Sequence, residues 1–262
     1  MFRYHKGQRV TAGERERWWP VLNRFALARA WSAGRRDKLL ACAAEFVEHK
    51  VVSGAAGFTP DAMTRDILAL QAAVPILALG MNYYAGWVEV IVYPHAFVTT
   101  ATQVDEAGVV HQARRGLSGE SWERGPVVLS AEDVYQSACQ VDGYNVVIHE
   151  MAHKLDALNG AMNGFPPLHR HMSRRAWTAA FEAAYADMAA AVERGDETMM
   201  DPYAVENPAE FFAVASEMFF ERPGALKAGY SRVHEQLLAF YGYDPSPWTG
   251  NRRRRRSGRA IE

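Results

Sequence analysis

The sequence predicts an α+β fold, mainly helical, with a small β-sheet. Three observations carry this. Apolar residues recur at helical spacing over most of the chain. Two stretches open on a capping residue and a proline, Thr59-Pro60-Asp61 and Asn207-Pro208-Ala209-Glu210. Only two short runs, 87–93 (Trp-Val-Glu-Val-Ile-Val-Tyr) and 126–130 (Pro-Val-Val-Leu-Ser), are β-branched and strand-like.

Taken in order, residues 22–52 follow the helical period, with Leu39, Ala43, Phe46 and Val47 on one side. Thr59-Pro60-Asp61 starts a helix expected to reach about Gly80, kinked at Pro75. Tyr83-Tyr84-Ala85-Gly86 reads as a turn before the 87–93 strand, which Pro94 stops. Residues 101–125 are polar and dotted with glycine, as in a long loop or hairpin. Asp142-Gly143 opens a helix expected to reach Leu158 and close at Asn159-Gly160. After a loop over 161–172, residues 173–193 form an amphipathic helix ending at Gly195. A helix from Asn207 to about Phe220 follows, then another over 225–242.

A chain of 262 residues buries roughly 70–75% of its unfolded surface, so a substantial core is expected. Hydrophobic residues make up 49% and charged residues 23%, which excludes disorder or a collagen-like repeat as a description of the whole. One domain is expected over 1–243, with a helical part to about 80 and a core from about 81. The remainder, 244–262, is a basic tail expected to be disordered and solvated. The last eleven residues hold six arginines, at 252–256 and 259; without them the chain carries 23 basic and 29 acidic residues. The folded part therefore has no positive field for nucleic acid or anionic membranes. No apolar leader follows Met1, and the longest apolar run, 72–81, is about half a membrane span, so a soluble cytoplasmic protein is expected. The two cysteines, Cys42 and Cys139, are too few and too far apart for a thiolate metal site.

The chemistry concentrates at His149-Glu150-Met151-Ala152-His153, an HExxH motif. Residues four apart lie one turn above each other on a helix, so both imidazoles can share one Zn²⁺. Glu150 stands about 100° round from His149 and about 60° from His153. It flanks the metal without ligating it, where a base for the metal's water belongs. Ile148, Met151, Leu155 and Leu158 form an apolar stripe that would bury the helix and turn the histidines toward a cleft.

Catalytic zinc takes three protein ligands and leaves one position open, so a third ligand is required. Asp156 shares the helix face but lies two turns from His149; it reads either as an acceptor orienting a ligand imidazole or as an ordinary exposed acid. His169 and His171 read as solvated loop histidines. Glu210 is the better candidate, in the first turn of a helix otherwise made of bulky apolar residues. It has a competing reading, the third position of a capping box reaching back to the cap's N–H. Glu217, two turns further on, either hydrogen-bonds a ligand imidazole or is exposed.

The run 145–156 (Asn-Val-Val-Ile-His-Glu-Met-Ala-His-Lys-Leu-Asp) resembles the active-site helix of the Mlc titration factor A family of zinc metallopeptidases. The run 207–220 resembles that family's second signature, and its Glu-Phe-Phe-Ala pattern is similar to the catalytic domain of anthrax lethal factor. The resemblance implies a zincin-type fold with the sheet beside the HExxH helix. It implies His149, His153 and Glu210 as ligands of one zinc ion, Glu150 as general base and Tyr203 as a donor to the oxyanion. It further implies an aminopeptidase-like activity on peptides and a partner, a Mlc-type transcriptional repressor of sugar uptake. Set against this is a non-catalytic regulator that titrates a transcription factor, its zinc secondary or structural. A different zincin type, with Asp156 as third ligand, is a further alternative. From position alone, the 87–93 strand is expected to pair with an extended peptide substrate.

Overall fold

A computed structural model describes residues 12–95, 97–104, 110–117, 119–121 and 125–245. The tail arginines and residues 1–11 lie outside it. Helices dominate, beside a sheet of four strands, β1 (Val51–Gly54), β2 (Glu89–Tyr93), β5 (Gly119–Ser121) and β6 (Val127–Ser130). Their order is β1-β2-β6-β5, the first three parallel and β5 antiparallel to β6. In and beside the 101–125 region, β3 (Phe97–Val104) pairs antiparallel with β4 (Val110–Leu117).

The 87–93 run makes β2, but in the sheet's interior: Val90 lies between Val52 of β1 and Val127 of β6. Both of its edges are bonded, so the expected pairing of this strand with a peptide is corrected. Val90 and Val92 are fully buried, and all four residues of β6 are buried, the apolar pattern of strands covered on both faces. The outer strand on the β6 side is β5, which lies against the helix that carries the HExxH motif.

The N-terminal helical pattern is broken into α1 (Ala12–Arg24) and α2 (Ala33–His49). The expected helical run to 52 is cut short because Val51 and Val52, β-branched, pair with β2 instead. In α3 (Ala62–Ile76) the cap is Asp61 rather than Thr59; its carboxylate accepts from the Thr64 N–H at 2.7 Å. Pro75 falls in the last turn, so it ends the helix instead of kinking it. Ser130 caps α4 (Ala131–Cys139), a short helix that no signal above marks.

The motif helix is α5 (Val146–Asp156), capped by Asn145, whose Oδ1 accepts from Ile148 N–H at 3.0 Å. It starts later than expected, because Gly143 has φ +104°, outside the helical region. Ile148, Met151 and Leu155 are fully buried, whereas Leu158 lies past the helix end and is exposed. Then come α6 (Arg174–Arg194), α7 (Pro208–Glu221), α8 (Pro223–Gly229) and α9 (Ser231–Tyr241); the expected 225–242 helix is two, broken at Tyr230.

The buried core runs through the nine described helices, β2 and β6 as one cluster. In α7, Phe211, Phe212, Phe219 and Phe220 are at most 1% exposed. Each contributes about 1.5–3 kcal/mol by leaving water. Trp177 of α6 stacks on Phe181 with centroids 4.3 Å apart and meets Phe212 and Phe240 edgewise or tilted. This packing holds α7 beside α5 with its polar stripe turned inward. Glu210, Glu217 and Glu221, spaced by seven and four, lie on that stripe, within about 40° of one another at 100° per residue.

Candidate metal centre

One turn of α5 separates His149 from His153, and their ring centroids are 4.8 Å apart. The two Nε2 atoms lie 3.1 Å apart. Glu210 Oε2 completes a triangle, 3.0 Å from His149 Nε2 and 3.3 Å from His153 Nε2. Asn207 caps α7 through bonds from Ala209 N–H (2.9 Å) and Glu210 N–H (3.1 Å), which leaves the Glu210 carboxylate free to reach the imidazoles. Glu210 thus sits at the third position of a cap and also at the histidine pair.

These separations match the donor edges of a tetrahedral ion with bonds near 2.0–2.2 Å, which are about 3.3 Å long. His149 Nδ1 lies 2.8 Å from Glu217 Oε1, so in the neutral ring the proton sits on Nδ1 and Nε2 keeps its lone pair. Three lone-pair-bearing atoms then converge within 4.8 Å, an arrangement that calls for a cation. Two imidazoles and one carboxylate are a catalytic metal donor set, with a vertex left for water. His149, His153 and Glu210 are the one such group of three or more among the described residues.

The same groups are coupled electrostatically. Burial works against charge on His149, but the Glu210 and Glu217 carboxylates outweigh it and hold its pKa well above the usual value. Burial also works against charge on Glu210, but both imidazoles reverse the sign and bring it far below the carboxylate range. Glu150 is 3% exposed, and burial pushes it up to about 6. Its Oε2 has no hydrogen-bond partner among the described residues. A buried carboxylate poised near 6 suits proton transfer near neutral pH.

Tyr203 stands on a 3₁₀ turn (Pro202–Val205) and presents its ring to His149, centroids 6.2 Å apart. It is 39% exposed, so it faces the open side of the site rather than the core.

The family description "Glucose-regulated metallo-peptidase M90" matches residues 3–242. The chain belongs to the M90 metallopeptidase family. It is 35% identical over 213 residues to Mlc titration factor A of Yersinia enterocolitica, covering 80% of this chain and 79% of that protein. It is 34% identical over 231 residues to the proteins of that name from Yersinia pestis and Yersinia pseudotuberculosis, covering 87% of this chain and 84% of each relative. M90 membership implies a metal, and the one candidate cluster among the described residues is the triangle above.

Other residues of this M90 chain fall into place around the triangle. Glu217 is 1% exposed and oriented on His149, so the exposed-acid reading is corrected. Asp156 is fully buried, which corrects its exposed-acid reading too. Its Oδ2 accepts from Gly164 N–H at 2.7 Å, and it makes no hydrogen bond to either imidazole; its Oδ1 and His153 Nδ1 are both buried without a partner among the described residues. It lies outside the metal group, at the far end of α5, tying down the loop after the helix. His169 bonds the Phe240 carbonyl at 2.8 Å and stacks on His171, away from the triangle.

Two groups went unread in the M90 sequence. Lys154, 2% exposed, donates to the Gly125 carbonyl at 2.8 Å and so ties α5 to the strand corner before β6. Burial lowers its pKa to about 8. Glu221, 1% exposed, bonds the loop that leads into α5. The seven-plus-four spacing of Glu210, Glu217 and Glu221 was the available signal for the latter. Among the described residues no helix is long and apolar enough to cross a membrane.

Proposed function

We propose that this chain is a zinc-dependent, aminopeptidase-like peptidase with one Zn²⁺ held by His149, His153 and Glu210. The observation that carries this is the convergence of three donor atoms at 3.0–3.3 Å from helices 61 residues apart in sequence. A zinc ion bound there supplies a Lewis acid and a water with a pKa near 7. Glu150 takes the proton of the attacking water and returns it to the leaving amine. The Tyr203 phenol donates to the carbonyl oxygen as it gains charge. Glu217 holds the His149 ring in the tautomer that leaves Nε2 free. Asp156 acts on His153 through charge. An extended peptide would lie along β5, the outer strand beside α5, rather than along β2.

A second reading has support of its own, since the curated relatives carry the name Mlc titration factor A. Binding a Mlc-type repressor of sugar uptake would make the chain a cytoplasmic regulator, acting on transcription through a protein partner and not through DNA or a membrane. In the extreme form it does no catalysis, and the zinc is structural. Glu150→Gln separates the two. The peptidase reading expects stoichiometric zinc and lost cleavage of a peptide library on the same purified sample. Cleavage undiminished by that change would remove Glu150 from the chemistry. Repressor binding unaffected by it, in a protein whose wild type cleaves nothing, would favour the titration role.

A further inference from the structure

Beyond the triangle and Glu217, the α7 stripe carries one more buried carboxylate that the proposed chemistry does not use. Glu221 Oε2 accepts from the backbone N–H groups of Asp142 (3.2 Å) and Gly143 (3.0 Å). Its Oε1 accepts from Asn145 Nδ2 at 3.0 Å. Asn145 is the cap of α5, and its own N–H donates to Glu217 Oε2. Glu217's other oxygen holds His149 Nδ1. One unbroken chain of hydrogen bonds therefore runs from Glu221 through Asn145 and Glu217 to the first histidine.

The loop before α5 is also pressed onto α7. Gly143 has φ +104°, and a Cβ there would lie 2.6 Å from Met218 Sδ and 3.3 Å from Arg222 Cδ. The N-terminus of α5, with its positive end, faces the two carboxylates, which favours them there. The lever is short. Rotating α5 by about 10° moves a side-chain tip some 6 Å off its axis by about 1 Å. Metal–ligand distances tolerate only about 0.2 Å.

We infer that Glu221 is a positioning residue for metal binding: through Asn145 it sets the rotation of α5, so that His149 meets His153 and Glu210 at one point. The inference rests on the reading of those three residues as zinc ligands.

Two variants of the full chain test it. Glu221→Gln keeps one oxygen for the loop N–H groups but offers Asn145 an amide. Asn145→Ser keeps a good N-cap but cannot reach Glu221. Zinc affinity is read by competition with a chromogenic chelator, and apo-protein melting is read alongside. Each single change is expected to raise the zinc dissociation constant about 10-fold, with apo melting within about 4 °C of wild type. The double variant is expected to lose no more than either single. Wild-type zinc affinity in both singles overturns the inference, as do losses that multiply in the double or that merely track lost folding. A different result sinks the ligand reading itself: wild-type zinc affinity in His153→Ala.

Discussion

Glu217 Oε1 lies 2.8 Å from His149 Nδ1, across 68 residues of sequence and from a position 2% exposed at the side chain. A carboxylate in that place fixes both the ring's plane and its tautomer. Glu217→Gln presents an amide of the same shape that can turn a donor toward Nδ1. Zinc affinity is expected to fall about 10- to 100-fold, measured by chelator competition, with the fold retained in circular dichroism. Unchanged affinity would leave Glu217 a packing residue only.

Glu150→Gln bears on the chemistry rather than on the metal. Its carboxylate is absent from the donor triangle, so zinc content should remain at wild-type stoichiometry. Peptide hydrolysis should fall about 10²- to 10⁴-fold, the usual worth of a positioned acid–base group. Loss of zinc in this variant would instead place Glu150 among the ligands.

The same residue sets a pH dependence. Burial raises the Glu150 pKa from the usual 4.5 to about 6. The ionised form is the one that takes a proton, so turnover should climb as pH rises through about 6 and fall off below it. A rate profile of zinc-loaded protein between pH 4.5 and 8 checks this. A flat profile down to pH 4.5 would argue against Glu150 as the base.

Glu210 and Asn207 separate metal binding from helix capping. Asn207→Ala removes the acceptor of two N–H bonds in the first turn of α7. It should cost about 1 kcal/mol of stability while zinc stays bound. Glu210→Ala should do the reverse: the cap persists, and stoichiometric zinc is lost on dialysis against a weak chelator. Metal analysis beside thermal melting distinguishes them, and zinc retained in Glu210→Ala would move the third ligand elsewhere.

Bound zinc should also stabilise the fold by mass action, about 2.7 kcal/mol at a hundredfold excess over the dissociation constant. Removing it should lower the melting temperature of wild type. It should leave His153→Ala unmoved, and a calorimetric scan with and without chelator shows which.

The contrast between β2 and α5 shows where sequence reading succeeds and where it stops. The β character of 87–93 is local, written in its valines and isoleucine. Its interior place depends on β1 and β6, and the helical period carries Val51 and Val52 of β1 into a helix end. Val90→Pro would therefore break the sheet rather than probe a substrate edge. Asp156 shows the same limit. Its helix face was legible, but Gly164, which takes its hydrogen bond, lies in a loop whose path no periodicity records.

What the sequence determined by itself is what the backbone repeats: His149 and His153 one turn apart, Glu150 beside them, and Glu210, Glu217 and Glu221 in one row. Helical geometry follows from hydrogen bonds between near neighbours, so spacing alone carries it. Only the tertiary structure decided that the α7 row meets the α5 pair at about 3 Å, that Glu217 and Glu221 grip the start of α5, and that β5 is the outer strand beside it. Those distances come from the packing of Phe211, Phe212, Trp177 and their neighbours between segments far apart in the chain. Burial by shape is a property of the assembled core, which no single stretch of residues contains.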